Sequence, residues 1–211
     1  MAENSPYYES GVKISYTTPN NQWLLSALLL NGWQRIQRVQ GNNTPAFGHQ
    51  LTFKPNEKVT LNSSSFVGSD TPDSVRLMRY FHNFYLQLQC TKKRGLTLGF
   101  DAGAQQQTKG SQTFNSWYTY ALIGKYAVFD KLAIAGRIEY YHDPRQVIVA
   151  TGTQNGFQNY GFSLNTDYAI AENALWRIEG KQFYSKDPMF INNNKLVNNY
   201  FYITTSLALA F

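Results

Sequence analysis

Tyr200-Phe201-Tyr202-Ile203-Thr204-Thr205-Ser206-Leu207-Ala208-Leu209-Ala210-Phe211 alternates from end to end. Phe201, Ile203, Thr205, Leu207, Leu209 and Phe211 fall on one face, and Tyr200, Tyr202, Thr204, Ser206, Ala208 and Ala210 on the other. Successive side chains of an extended chain point to opposite sides, so this period predicts a strand with one strongly apolar face. In a closed barrel crossing a membrane, one face of every strand meets lipid and the other meets the lumen. A last strand that ends on an aromatic, here Phe211, reads as the insertion signal offered to barrel-insertion machinery.

Composition agrees with a barrel and excludes other classes. Aromatic residues are 16% of the 211, with 15 Tyr and 14 Phe. Interfacial aromatic girdles would use them. Charged residues are 15%, against roughly 25% in average soluble proteins. Mean hydropathy is −0.41, and no apolar run reaches the about 18 residues that a membrane helix needs. A barrel resolves this, because half of each strand can be polar.

The net charge of +6 comes from Lys and Arg spread along the chain rather than clustered, so no nucleic-acid partner is expected. A single Cys90 and three scattered histidines, His49, His82 and His142, give no metal-ligand spacing, and no cofactor is expected. The segment Met1–Pro6 lacks the basic and apolar regions of a signal peptide. For an exported barrel, the signal is then expected to have been removed or to lie upstream.

Period-2 segments recur along the chain at Tyr8–Thr17, at Trp23–Trp33, which alternates less clearly, and at Phe47–Lys54, Val59–Gly68, Arg79–Cys90 and Leu96–Ala104. They continue at Trp117–Phe129, Leu132–Tyr141, Tyr160–Ile170, Ala174–Tyr184 and Tyr200–Phe211. Tight turns such as Asp130-Lys131 and Glu172-Asn173 alternate with long polar stretches such as 142–158 and 185–198. Short periplasmic turns and long extracellular loops are the asymmetry of outer-membrane barrels. The fold expected is all-β, an antiparallel up-and-down transmembrane β-barrel with about 11 strands visible, in one domain over residues 1–211. Counting back from a periplasmic end, an odd number of strands starts the chain on the outer side. An even-stranded barrel of 12 or more, of which this is the C-terminal part, is therefore expected; the alternatives are a miscounted Trp23–Trp33 or a barrel assembled from several chains.

The faces sort chemically. Leu96, Leu98, Phe100, Ile134, Ile138, Phe162, Leu164, Trp176 and Ile178 fall outward. Glu9, Lys13, Lys54, Arg79, Asp101, Lys125, Arg137, Glu139, Asp167, Arg177, Glu179 and Lys181 fall inward as candidate lumen-lining residues. Lys or Arg facing lipid at the midplane costs about 2–4 kcal/mol, which explains the sorting. His82 and Gln182 are outward positions that fit less well. Charges on consecutive strands, Arg137/Glu139, Asp167 and Arg177/Glu179/Lys181, can brace the wall as ion pairs or set selectivity.

Several segments in this order resemble the OmpL-like β-barrel porin family (barrel porin type 2). They are Asn4-Ser5-Pro6-Tyr7-Tyr8-Glu9, Leu28-Leu29-Leu30-Asn31-Gly32-Trp33-Gln34 and Met78-Arg79-Tyr80-Phe81-His82-Asn83-Phe84-Tyr85, then Thr151-Gly152-Thr153-Gln154-Asn155-Gly156-Phe157 and Asn173-Ala174-Leu175-Trp176-Arg177-Ile178-Glu179. The resemblance implies a barrel of the cell outer membrane acting as a porin, with family members that are longer at the N-terminus and begin with a signal peptide.

The expected function is a channel for passive diffusion of small hydrophilic solutes, slightly favouring anions because seven of the twelve inward charges are basic. The alternative is a structural or surface-binding barrel that acts through its loops without conductance. An enzyme is not expected. His142 beside Asp143 is the only candidate pair at the rim, and no motif marks a serine nucleophile. Expected partners are outer-membrane lipid, the insertion machinery and small solutes, with a homo-oligomer left open.

Overall fold

The computed structural model describes residues 4–210. Thirteen strands occur in chain order: β1 (Gly11–Thr17), β2 (Trp23–Leu30), β3 (Ala46–Asn56), β4 (Val59–Gly68), β5 (Arg79–Thr91), β6 (Arg94–Gln106) and β7 (Phe114–Phe129), followed by β8 (Leu132–Asp143), β9 (Phe157–Ala171), β10 (Ala174–Ser185), β11 (Phe190–Asn192), β12 (Lys195–Val197) and β13 (Asn199–Leu209). Eleven of them form one antiparallel sheet in the order β1 to β10 and then β13, an up-and-down meander. Most of these strands are longer than the 9–11 residues that a tilted strand needs to cross a bilayer.

Register carries the face assignment through the whole wall. Trp117 lies across from Gly103, Thr119 from Asp101, Glu139 from Gly161 and Arg177 from Asp167. Each of these positions is on the inward face, and each even-numbered neighbour on β5 to β10 is outward. The outward face is apolar and uncovered: Ile14 is 73% exposed, Leu164 61% and Ile203 67%. A water-soluble sheet would bury that face, so its solvent is lipid.

Several expected boundaries move. The first strand begins at Gly11 rather than Tyr8, because Tyr7 and Tyr8 are tied elsewhere: the Tyr8 hydroxyl donates to the Gln34 carbonyl at 2.8 Å, and the Tyr7 N–H to the Gln34 side chain at 3.2 Å. Tyr8 and Glu9 are therefore not on the wall. The second strand ends at Leu30, not Trp33. Gly32 takes φ +137° and swings Trp33 out of the ladder and in towards the lumen. The turn between β3 and β4 closes at Glu57-Lys58, with β3 continuing through Pro55 and Asn56. The long loop 186–198 is not irregular throughout. It contains the β11–β12 hairpin, turned by Asn193 and Asn194 at φ 49° and 60°. Asparagine tolerates that left-handed backbone, so the Asn run flanked by Ile191 and Leu196 was a turn signal in the sequence. Phe211 lies outside the described residues.

Candidate channel lumen

The inward face divides into an aromatic upper part, next to the long loops, and a charged lower part, next to the tight turns. At the top, Trp33 meets the rings of Phe66 and Phe81 edge-on, with centroids 5.2 and 5.1 Å away, and Trp117 at 6.4 Å. Leu30, Ala46 and Tyr141 complete the buried cluster. The block narrows the lumen from one side, and neighbouring glycines make room for it. A Cβ on Gly103 would overlap the Trp117 indole, and one on Gly68 would overlap Ala46.

Arg79 caps this block. Its guanidinium lies 5.1 Å over the Trp33 ring and 3.3 Å from Asp70, whose other oxygen accepts the Trp33 N–H at 2.8 Å. Loop 144–156 folds into the same mouth, where Val147, Ile148 and Val149 pack against the aromatic cluster. Its anchor is Asp143, fully buried, whose carboxylate accepts the N–H groups of Val147, Ile148 and Val149 at 2.9, 2.8 and 3.1 Å. Above the block, an outer vestibule of about 560 Å³ is lined by Trp33, Gln34, Arg35, Asp70, Arg79 and Ile148 among others.

A polar ladder crosses the mid-lumen. Thr52 donates to Asn62, Asn62 to Asn83, Asn83 to Asp101, and Asn4 reaches Asp101 from the N-terminal segment at 2.8 Å. Below it lies a cavity of about 600 Å³ on the tight-turn side, lined by Lys125, Arg137, Asp167, Arg177 and Glu179, by Glu57 and Lys58 of a tight turn, and by polar and aliphatic residues. Two ion-pair groups occupy this wall. Glu139 pairs with Arg137 on its own strand and with Lys181 two strands away at 2.6 Å. Arg177 grips both Asp167 oxygens at 2.7 and 2.9 Å. The pairs are thus Arg137–Glu139–Lys181 and Arg177–Asp167, while Lys13 donates to Gln50 at 2.9 Å instead.

Of the candidate lumen residues, Lys13, Asp101, Lys125, Arg137, Glu139, Asp167, Arg177, Glu179 and Lys181 sit at inward register positions within strands. Arg79 is inward at the upper end of β5, and Lys54 is inward beside the irregularity near the end of β3. Glu9 precedes β1 and joins Lys13 and Gln50 around a smaller cavity. The aromatic block was not legible in advance, since its members come from a loop and four strands. His142 and Asp143, neighbours in sequence, point to opposite faces: Asp143 inward to its loop, and His142 outward, stacked on Tyr118 at 4.8 Å. They make no catalytic pair.

The rim of the long-loop side is basic. The five long loops carry Arg35, Arg38, Arg76, Lys109, Arg145, Lys186 and Lys195 against Asp70, Asp73 and Asp187. Asp73 and Asp187 fasten these loops to one another. Asp73 accepts the backbone N–H of Asn43 at 3.1 Å and the Thr44 hydroxyl at 3.0 Å. Asp187 accepts the backbone N–H of Asn155 at 2.7 Å. The backbone donors, first of all, hold both carboxyls below their ordinary range.

Known structures share this architecture. An anion-selective porin from Comamonas acidovorans superposes with a TM-score of 0.70 at 10% identity, over 96% of this chain and 60% of that one. The OmpT outer-membrane protein of Vibrio cholerae gives 0.62 at 10% identity, over 93% and 62%. The NanC porin gives 0.51 at 15% identity, over 97% of both chains. These likenesses concern the fold. Among curated proteins, none matches. The family model described as "Putative beta-barrel porin-2, OmpL-like" matches residues 1–211, and the chain belongs to that family of outer-membrane porins.

Proposed function

We propose that this wall lines a passive-diffusion channel whose outer mouth draws small hydrophilic anions. The observation that carries the reading is the segregation itself: an uncovered apolar outer face backed by an inner face of ion pairs, amides and two solvent cavities. The basic loops raise the local anion concentration at the entrance. Inside, Lys125, Arg137, Arg177 and Lys181 are offset by Glu139, Asp167 and Glu179, four against three, so the lower wall largely braces itself and keeps only a small net field. Attraction at the rim and near-neutrality within favour entry without tight retention, as conduction requires. This reading assigns no catalytic step. Outer-membrane lipid and the insertion machinery are the partners it needs.

The edges bear on the size of the pore. β1 and β13 both run from the long-loop side to the tight-turn side, and no ladder joins them among the described residues. Open edges are not tolerated in hydrocarbon. An odd number of further antiparallel strands seated between β13 and β1 would satisfy both, making this wall an arc of a wider barrel.

Planar-bilayer recording tests the reading. Stepwise ohmic conductance from the purified protein, with a reversal potential on the anion side in a KCl gradient, is expected. Folded, heat-modifiable protein that gives no steps would overturn it in favour of a barrel that acts through its loops.

A further inference from the structure

The outer face carries one polar island in its apolar band. Register aligns Ala27, His49, Ser65, His82 and Ala102 in a row across β2 to β6, all outward. Ser63 stands just below on β4. The four polar side chains form one hydrogen-bonded chain: Ser65 Oγ to His49 Nδ1 at 2.5 Å, His49 Nε2 to Ser63 Oγ at 3.2 Å, and Ser63 Oγ to His82 Nε2 at 3.1 Å. The two imidazoles lie 5.8 Å apart. Apolar rows bound the island on both sides along the strands, Phe47, Val67 and Tyr80 above and Leu51, Phe84 and Phe100 below. The island is therefore inside the lipid-facing band rather than beyond it.

Polar groups in that band are costly unless protein covers them. Internal bonding reduces the cost without removing it. His49 and His82 are exposed, and His82 Nδ1 has no partner among the described residues. The surface is also recessed: Ser65, Tyr80, His82, Ala102 and Ala104 border a shallow hollow of about 400 Å³, opened by the small residues.

We infer that the outer face of β3 to β5 is a contact surface for a second copy of this chain, related by a two-fold axis along the membrane normal. Histidine and serine each donate and accept, so the island is complementary to itself, as a two-fold contact requires. No Lys or Arg stands outward on β3 to β5, so the surface does not fit a lipid phosphate. In such a contact the polar row is shielded from acyl chains.

Light scattering on the full chain in mild detergent reads this directly. The protein part of the particle should weigh twice one chain. The His49→Leu/His82→Leu variant removes the cross-contact donors and should dimerise roughly tenfold more weakly. Should that variant fail to fold, Ser65→Cys in a Cys90→Ser background decides. Oxidation in native membranes should yield a disulfide-linked dimer, while Ile178→Cys, outward on β10, should not. Monomeric wild-type protein at all concentrations, a dimer indifferent to the histidine changes, or equal cross-linking from positions 65 and 178 would each overturn the inference.

Discussion

Gly103 on β6 lies directly across from Trp117 on β7, and the indole rests over the glycine's bare backbone. Trp117 is 1% exposed. The ring that anchors the aromatic block can turn into the lumen only because its partner has no Cβ. Adding one methyl group here must displace either the ring or the strand.

Gly103→Ala is expected to destabilise the folded barrel by about 1–3 kcal/mol, the usual cost of overpacking a filled site. Gly124→Ala, where a Cβ meets nothing within 4 Å, is the control and should stay within about 0.5 kcal/mol. Urea unfolding in lipid vesicles measures both. Equal effects would mean that the contact does not constrain the wall.

Asp143 is the anchor of loop 144–156. Replacing it with Ala leaves three loop N–H groups without their acceptor, at a cost of about 1–3 kcal/mol for each group left buried and unsatisfied. The loop should loosen, with faster hydrogen exchange at residues 147–149 and a larger single-channel conductance, because Val147 and Ile148 line the outer vestibule. Unchanged protection at those amides would count against the anchor.

Acid should loosen the rim before it unfolds the wall. Asp73 and Asp187 have folded values below their ordinary ones, so the deprotonated carboxylates are the bonded forms. Their loop ties are complete above the ordinary carboxylate range of about 4 and are lost as pH falls through the lower folded values. The amide resonances of Asn43 and Asn155 should follow these titrations. In Asp73→Asn and Asp187→Asn, the matching titration should vanish.

Glu139 holds two cations, Arg137 and Lys181. Glu139→Gln leaves both uncompensated beside the lower cavity and should move the reversal potential further to the anion side. Lys181→Gln should move it the other way. Breaking a partly buried pair also costs stability, about 3–5 kcal/mol for a fully buried one, so each variant is scored by heat-modifiability before recording. Identical reversal potentials in all three proteins would assign these residues to bracing alone.

Alternation of apolar and polar residues was enough to place eleven wall strands, with shifted ends, and the faces of those from β6 to β10. The reason is local: side-chain direction in a strand depends only on position parity, and lipid on one face penalises every error. The tight turns at Asp130-Lys131 and Glu172-Asn173, and the inward identity of Arg137, Glu139 and Lys181, follow from the same rule. Tertiary structure alone decided what fills the space behind the wall. Trp33 leaves its strand at Gly32, meets Trp117 from a distant strand and carries Arg79 above it. Nothing in the period announces this, because it depends on a single backbone torsion and on the curvature of the sheet. Loop 144–156 folds inward because Asp143 collects its amides, a contact written in geometry rather than in spacing. His49 and His82 are 33 positions apart in sequence and share one serine only because β3, β4 and β5 pair in the register they do. Parity is a property of each strand by itself; the fit of one strand's side chains to another's exists only once register and curvature are set.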